Sequence, residues 1–129
     1  YYDTKNWGIG MIGKIGSGQP YTPFINDNFS ALVTNSKTKP VTWNVDVRSY
    51  FQFSKLSGPK FYINIFNLFD HLNHVNVYND SGRADETGYE QDAINYNTEE
   101  LINTVSEWFD NETFYSNPRR VELGFRYEF

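Results

Sequence analysis

The 129 residues contain no cysteine, which excludes a disulfide framework and leaves the compartment open. No run of eighteen apolar residues occurs, which excludes a transmembrane helix. That lack leaves a membrane barrel open, because half of every barrel strand is polar and averaging hides the rest. Basic charge is also scarce. A net charge of −5 and a pI near 4.9 argue against a nucleic-acid partner, which selects basic faces. Tyr1-Tyr2-Asp3-Thr4-Lys5 has neither the basic start nor the apolar core of a signal peptide. For an exported protein, the native start is expected to lie elsewhere. No nucleophile–base pair, phosphate-binding glycine loop or catalytic carboxylate pair stands out, so neither enzymatic activity nor a cofactor is expected.

Aromatic residues are plentiful, at 19% with ten Tyr and eleven Phe, although the mean hydropathy is polar at −0.63. The final residues show why both hold together. Val121, Leu123, Phe125, Tyr127 and Phe129 alternate with Arg120, Glu122, Gly124, Arg126 and Glu128. Strict alternation over about ten residues is the length and pattern of a tilted strand that crosses a bilayer within a barrel. One side would face lipid and the other a wet lumen.

The same period recurs upstream. Val41, Trp43, Val45, Val47, Phe51 and Phe53 alternate with Thr42, Asn44, Asp46, Arg48, Tyr50 and Gln52. Phe61, Ile63 and Ile65 alternate with Tyr62, Asn64 and Phe66. Trp7, Ile9, Met11 and Ile15 alternate with Gly8, Gly10, Ile12 and Lys14. The pattern predicts four strands, near 7–15, 41–53, 61–69 and 119–129. Short turns are expected at Asp3–Asn6 and Lys55–Lys60, against long polar connections at Gly16–Pro40 and Asp70–Pro118. Sorting of short from long connections is the habit of a bacterial outer-membrane barrel. Within the second loop, Asn97 and Glu100 resemble a capping pair ahead of Leu101, Ile102, Val105, Trp108 and Phe109, which predicts a short amphipathic helix near 98–110.

Four strands cannot close a barrel, since an open sheet edge in lipid leaves peptide groups unpaired. The strands must be completed by a longer polypeptide or by further copies. Trimeric barrels normally feed the pore from a long helical or coiled segment, whereas this chain begins inside a turn, which favours the longer polypeptide.

Several segments resemble the closing strands of a TonB-dependent outer-membrane receptor. Gly18-Gln19-Pro20-Tyr21-Thr22-Pro23 is similar to the Gly-x-Pro-Tyr-Thr element that ends an upward strand in these receptors, and Val45-Asp46-Val47-Arg48 to the Val-Asp-Leu-Arg strand after it. Tyr62-Ile63-Asn64-Ile65-Phe66-Asn67-Leu68-Phe69-Asp70 resembles their penultimate strand, and Asn117 to Phe129 their final one. Each motif alone is weak; four in order, spanning nearly the whole chain, are more specific. The resemblance implies an all-β transmembrane antiparallel barrel of about 22 strands, of which residues 1–129 form the carboxyl-terminal part. It implies a plug domain and TonB box upstream, and TonB-driven import of a scarce nutrient such as a metal chelate, cobalamin or glycan. Implied partners are the rest of the barrel and its plug, the TonB complex, the barrel assembly machinery, and outer-membrane lipid and lipopolysaccharide. The implied location is the bacterial outer membrane. Phe125, Tyr127 and above all Phe129 would carry the terminal aromatic signal that the assembly machinery reads.

The inward polar set is Asn44, Asp46, Arg48, Asn64, Arg120, Glu122, Arg126 and Glu128. Salt bridging across the wall and to the plug suits its mixed signs better than direct substrate contact, because a selective lining tends to show one sign. His71 and His74, with Asp80 and Asp85, invite a metal reading, but no fixed ligand geometry is encoded and an ordinary surface loop is the preferred reading. Two other functions remain open. A porin-like or structural barrel anchoring a surface complex would lack the native plug. A soluble β-sandwich binding module would bury Trp43, Val45 and Val47 in a protein core and fold alone in water.

Overall fold

A computed structural model describes residues 1–24, 34–53, 58–96 and 104–128. They form two compact units, one of Tyr1–Ile15, Trp43–His71 and Asn117–Phe129, the other of Gly16–Thr42 and Leu72–Ser116. The secondary structure is largely β-strand with a few short helices, and no described helix is long and apolar enough to cross a membrane.

The first unit is built on a five-stranded sheet. Its strands are β1 (Tyr2–Asp3), β2 (Trp7–Gly16), β5 (Thr42–Gln52), β6 (Gly58–Phe66) and β7 (Arg120–Glu128), in the order β1-β2-β5-β6-β7. The β1–β2, β5–β6 and β6–β7 pairs are antiparallel. Apolar residues, mostly β-branched or aromatic, recur at every second position of β5 and β7 apart from Ser49 and suit a pleated surface. The sheet is open, with β1 and β7 as its edges.

Register lays whole rows of like side chains across the strands. Val47, Ile65 and Val121 form one row, and Phe51, Phe61 and Phe125 another. Between them, on the same face, lie Ser49, Ile63 and Leu123. On the opposite face Arg48, Asn64 and Glu122 align, and Gln52, Lys60 and Arg126 align below them. The apolar rows are most exposed along β7, where Leu123 is 79% exposed, Phe125 63% and Val121 52%; Phe51, Phe61 and Ile63 are also exposed, while Val47 and Ile65 are half-buried. Among the described residues the only buried apolar side chains are Tyr21 and Ala84, and both belong to the second unit.

The expected strands near 7–15, 41–53 and 119–129 appear with bounds shifted by a residue or so. The third differs more, running over Gly58–Phe66 instead of 61–69. Asn67 and Asp70 adopt positive φ, 52° and 55°, which stops the strand. Gly58-Pro59-Lys60, expected within a turn, pairs instead with Arg126 to Glu128; proline is tolerated at the start of a strand. Residues 55–57 of that expected turn lie outside the described residues. The turn before β2 is as expected, closed by Thr4 N–H donating to the Trp7 carbonyl over 2.8 Å, with β1 added upstream of it.

In the second unit, β3 (Pro20–Tyr21) and β4 (Lys37–Thr38) pair as a small ribbon. Gly18 touches it so closely that a Cβ there would lie 1.6 Å from the Lys39 carbonyl oxygen. Among the described residues the long loop carries α1 (Gly88–Tyr96) and α2 (Val105–Phe109), then a short 3-10 turn at Glu112–Phe114. Of the helix expected near 98–110, residues 98–103 lie outside the described residues, and α2 begins after its own N-cap at Thr104. Its cap there involves Thr104 and Glu107, the Glu107 carboxylate accepting from the Thr104 N–H over 3.2 Å. Asn97 and Glu100, expected to form the cap, lie outside the described residues.

Candidate functional site

The charged face of the sheet is the first candidate, because its residues share one side by register. Asn44, Asp46, Arg48, Tyr50 and Gln52 alternate along that side of β5, and Asp46 is buried. Asp46 Oδ2 accepts from Lys14 Nζ at 3.0 Å, while its Oδ1 accepts the backbone N–H of Asn67 at 3.0 Å. Arg120 Nε meets Glu122 at 3.1 Å, in the open, where such a pair contributes little. Cations also lie over rings: Lys60 Nζ is 4.0 Å from the Tyr50 centroid and Arg120 Cζ 4.6 Å from that of Phe66. The Tyr50 hydroxyl donates to Asp3. Positive and negative groups are therefore interleaved; apart from Arg120–Glu122, which lies within β7, each of these contacts ties one strand or turn to another.

The upper ends of β6 and β7 are knotted by side-chain amides and carboxylates. Asn67 Nδ2 donates to the carbonyls of His71 at 3.0 Å and Asn117 at 3.2 Å, and its Oδ1 accepts the His71 N–H. Asp70 Oδ1 accepts the Arg119 N–H at 2.7 Å. Positive φ at Asn67 and Asp70 aims these groups, and Asn and Asp are the residues that tolerate it. The Asn-Leu-Phe-Asp segment thereby sets where β7 begins.

The histidines and acids considered for a metal each have another occupation. His71 stacks on Trp43 with centroids 4.4 Å apart, and His74 Nδ1 accepts the Ala84 N–H at 2.9 Å. Asp85 is gripped by Arg83 through bonds of 2.8 and 2.6 Å, which hold its carboxyl below the usual range. Burial pushes the Asp80 carboxyl up, but the Thr87 hydroxyl and the Gly88 N–H donate to it and keep it low. No three His, Asp or Glu gather as potential metal ligands among the described residues.

Of the sequence-predicted residues, Asn44, Asp46, Arg48, Asn64, Arg120, Glu122 and Arg126 fall on one face. The Glu128 side chain and Phe129 lie outside the described residues, so the aromatic series is seen only at Phe125 and Tyr127. Sequence reasoning passed over Lys14, Lys60 and Phe66 as members of the network. The spacing of Lys60 and Tyr62, two residues apart on one strand face, was the available signal.

Comparison with protein-family models, with curated proteins and with solved structures returns no match.

Proposed function

We propose that this chain is a wall section of an outer-membrane β-barrel of the TonB-dependent receptor kind, serving import of a scarce nutrient. The observation that carries the reading is the uncovered apolar face: Val121, Leu123 and Phe125 continue the rows of β5 and β6 with no layer of protein over them. An exposed apolar surface that crosses several strands calls for a non-aqueous neighbour. Hydrocarbon suits it because the opposite face is charged and the edges are open, so further strands can extend the wall to closure. The interleaved charges on the inner side suit contacts to a plug better than a one-sign filter. The four motif resemblances supply the receptor assignment within the barrel class.

Cell fractionation of the polypeptide that carries these residues tests the reading. Recovery in the outer membrane, with gel mobility that changes on heating and nutrient uptake that stops when TonB is removed, supports it. A monomer that melts cooperatively in water without detergent contradicts it.

A further inference from the structure

The second unit holds a cleft of about 270 Å³ whose walls mix aromatic rings with carboxylates. Tyr78, Phe109 and Tyr115, all half-buried, supply the rings; Asp85, Glu90 and Asp110 supply charge. The walls are fastened. The Tyr78 hydroxyl donates to the Phe109 carbonyl at 2.6 Å, and the two rings meet edge-on at 6.2 Å. Tyr115 packs edge-on against His74 at 5.7 Å and pairs with it through the backbone. Ser106 Oγ donates to Glu90 at 2.5 Å, which joins α2 to α1.

The charge in this cleft is unbalanced. Between Lys60 and Arg119 the only Lys or Arg is Arg83, and Asp85 and Glu86 already engage it. Glu90 and Asp110 have no ion-pair partner among the described residues. The phenols register the result. Burial first, then Asp110, Asp80 and Glu90, push Tyr78 above its ordinary range; burial, Asp85 and Asp110 do the same for Tyr115.

We propose that this cleft binds a small organic cation, an ammonium group on a short alkyl chain. The aromatic lining shelters the methylenes of such a chain, while Glu90 and Asp110 supply opposite charge. The volume lies just under the usual range for drug-sized ligands, so it suits a diamine or a single lysine-like arm. The uncompensated carboxylates repel anions, and among the described residues no three potential metal ligands gather. This assignment does not depend on the membrane reading, because the cleft is formed within the loop unit alone.

Calorimetric titration of the full chain in detergent, with cadaverine and with 1,5-pentanediol, tests it. We expect saturable cadaverine binding that weakens with salt, and none by the diol. The isosteric double variant Glu90→Gln/Asp110→Asn should weaken cadaverine roughly tenfold with unchanged circular dichroism. Phe109→Leu should weaken it by several fold while keeping the charge. A parallel titration with Nα-acetyl-lysine amide identifies the source: weaker binding than cadaverine assigns a free amine, and stronger binding assigns a lysine side chain of a partner. Equal binding of the diol, no cadaverine binding at millimolar concentration, or indifference to both variants overturns the proposal.

Discussion

The backbone N–H of Asn67 donates to Asp46 Oδ1 over 3.0 Å, and this bond ties the middle of β5 to the turn that ends β6. Leu68 N–H reinforces it by donating to the Val45 carbonyl at 2.8 Å. Both Asp46 and Asn67 are buried, so removing the acceptor strands a donor away from water. Asp46→Ala should therefore lower stability by roughly 1–3 kcal/mol. Asp46→Asn, which keeps an acceptor, should cost less. Thermal unfolding in detergent, followed by circular dichroism, gives the comparison.

Gly82 has φ of 76°, and a Cβ on it would lie 2.2 Å from the Tyr21 hydroxyl. Gly82→Ala combines left-handed strain with a clash against Tyr21, a buried side chain. The cost is on the order of 1–3 kcal/mol. Limited proteolysis should cut the variant within residues 72–96 at protease levels that leave the parent intact.

Acid and alkali should loosen the loop unit at opposite ends of the pH scale. Asp85 is lowered by its Arg83 bonds, and Asp80 is lowered by hydrogen bonds that outweigh burial. A depressed carboxyl contributes stability that is present above its unfolded pKa, about 3.9, and is lost as pH falls below that. Tyr78 and Tyr115 are raised, by burial first. Their contribution is full below the unfolded phenol pKa of about 10 and is lost as pH rises through the folded value. Hydrogen exchange of residues 78–90 should show a protected plateau between those limits. A profile flat into strong acid would contradict the Asp80 and Asp85 contacts.

Period-two alternation made β2, β5 and β7 legible, because a strand with unlike faces writes its geometry directly into the sequence. The faces followed with them: Asn64 and Glu122, opposed by register, already fell in one polar series. β6 was mistimed at both ends. Gly58-Pro59 carries turn chemistry yet pairs with β7, and Asn67 stops the strand through a backbone angle that no periodicity reports. β1 is two residues long, too short for any period. α1 buries no residue, so it has no apolar stripe to find. The knot of Asn67 and Asp70 and the aromatic cleft depend on residues about fifty and about thirty positions apart meeting in space. Only the fold supplies such meetings.

The absence of cysteine allows a direct test of the medium beside the apolar rows. Single cysteines at Ile63 and Leu123, and on the opposite face at Asn64 and Glu122, are introduced one at a time into the polypeptide in lipid bilayers. Each is probed with a membrane-impermeant maleimide, and with a fluorophore quenched by brominated lipid. The account predicts maleimide reaction at positions 64 and 122 without lipid quenching, and lipid quenching at 63 and 123 without reaction. Water access at 63 and 123 equal to that at 64 and 122 would contradict it.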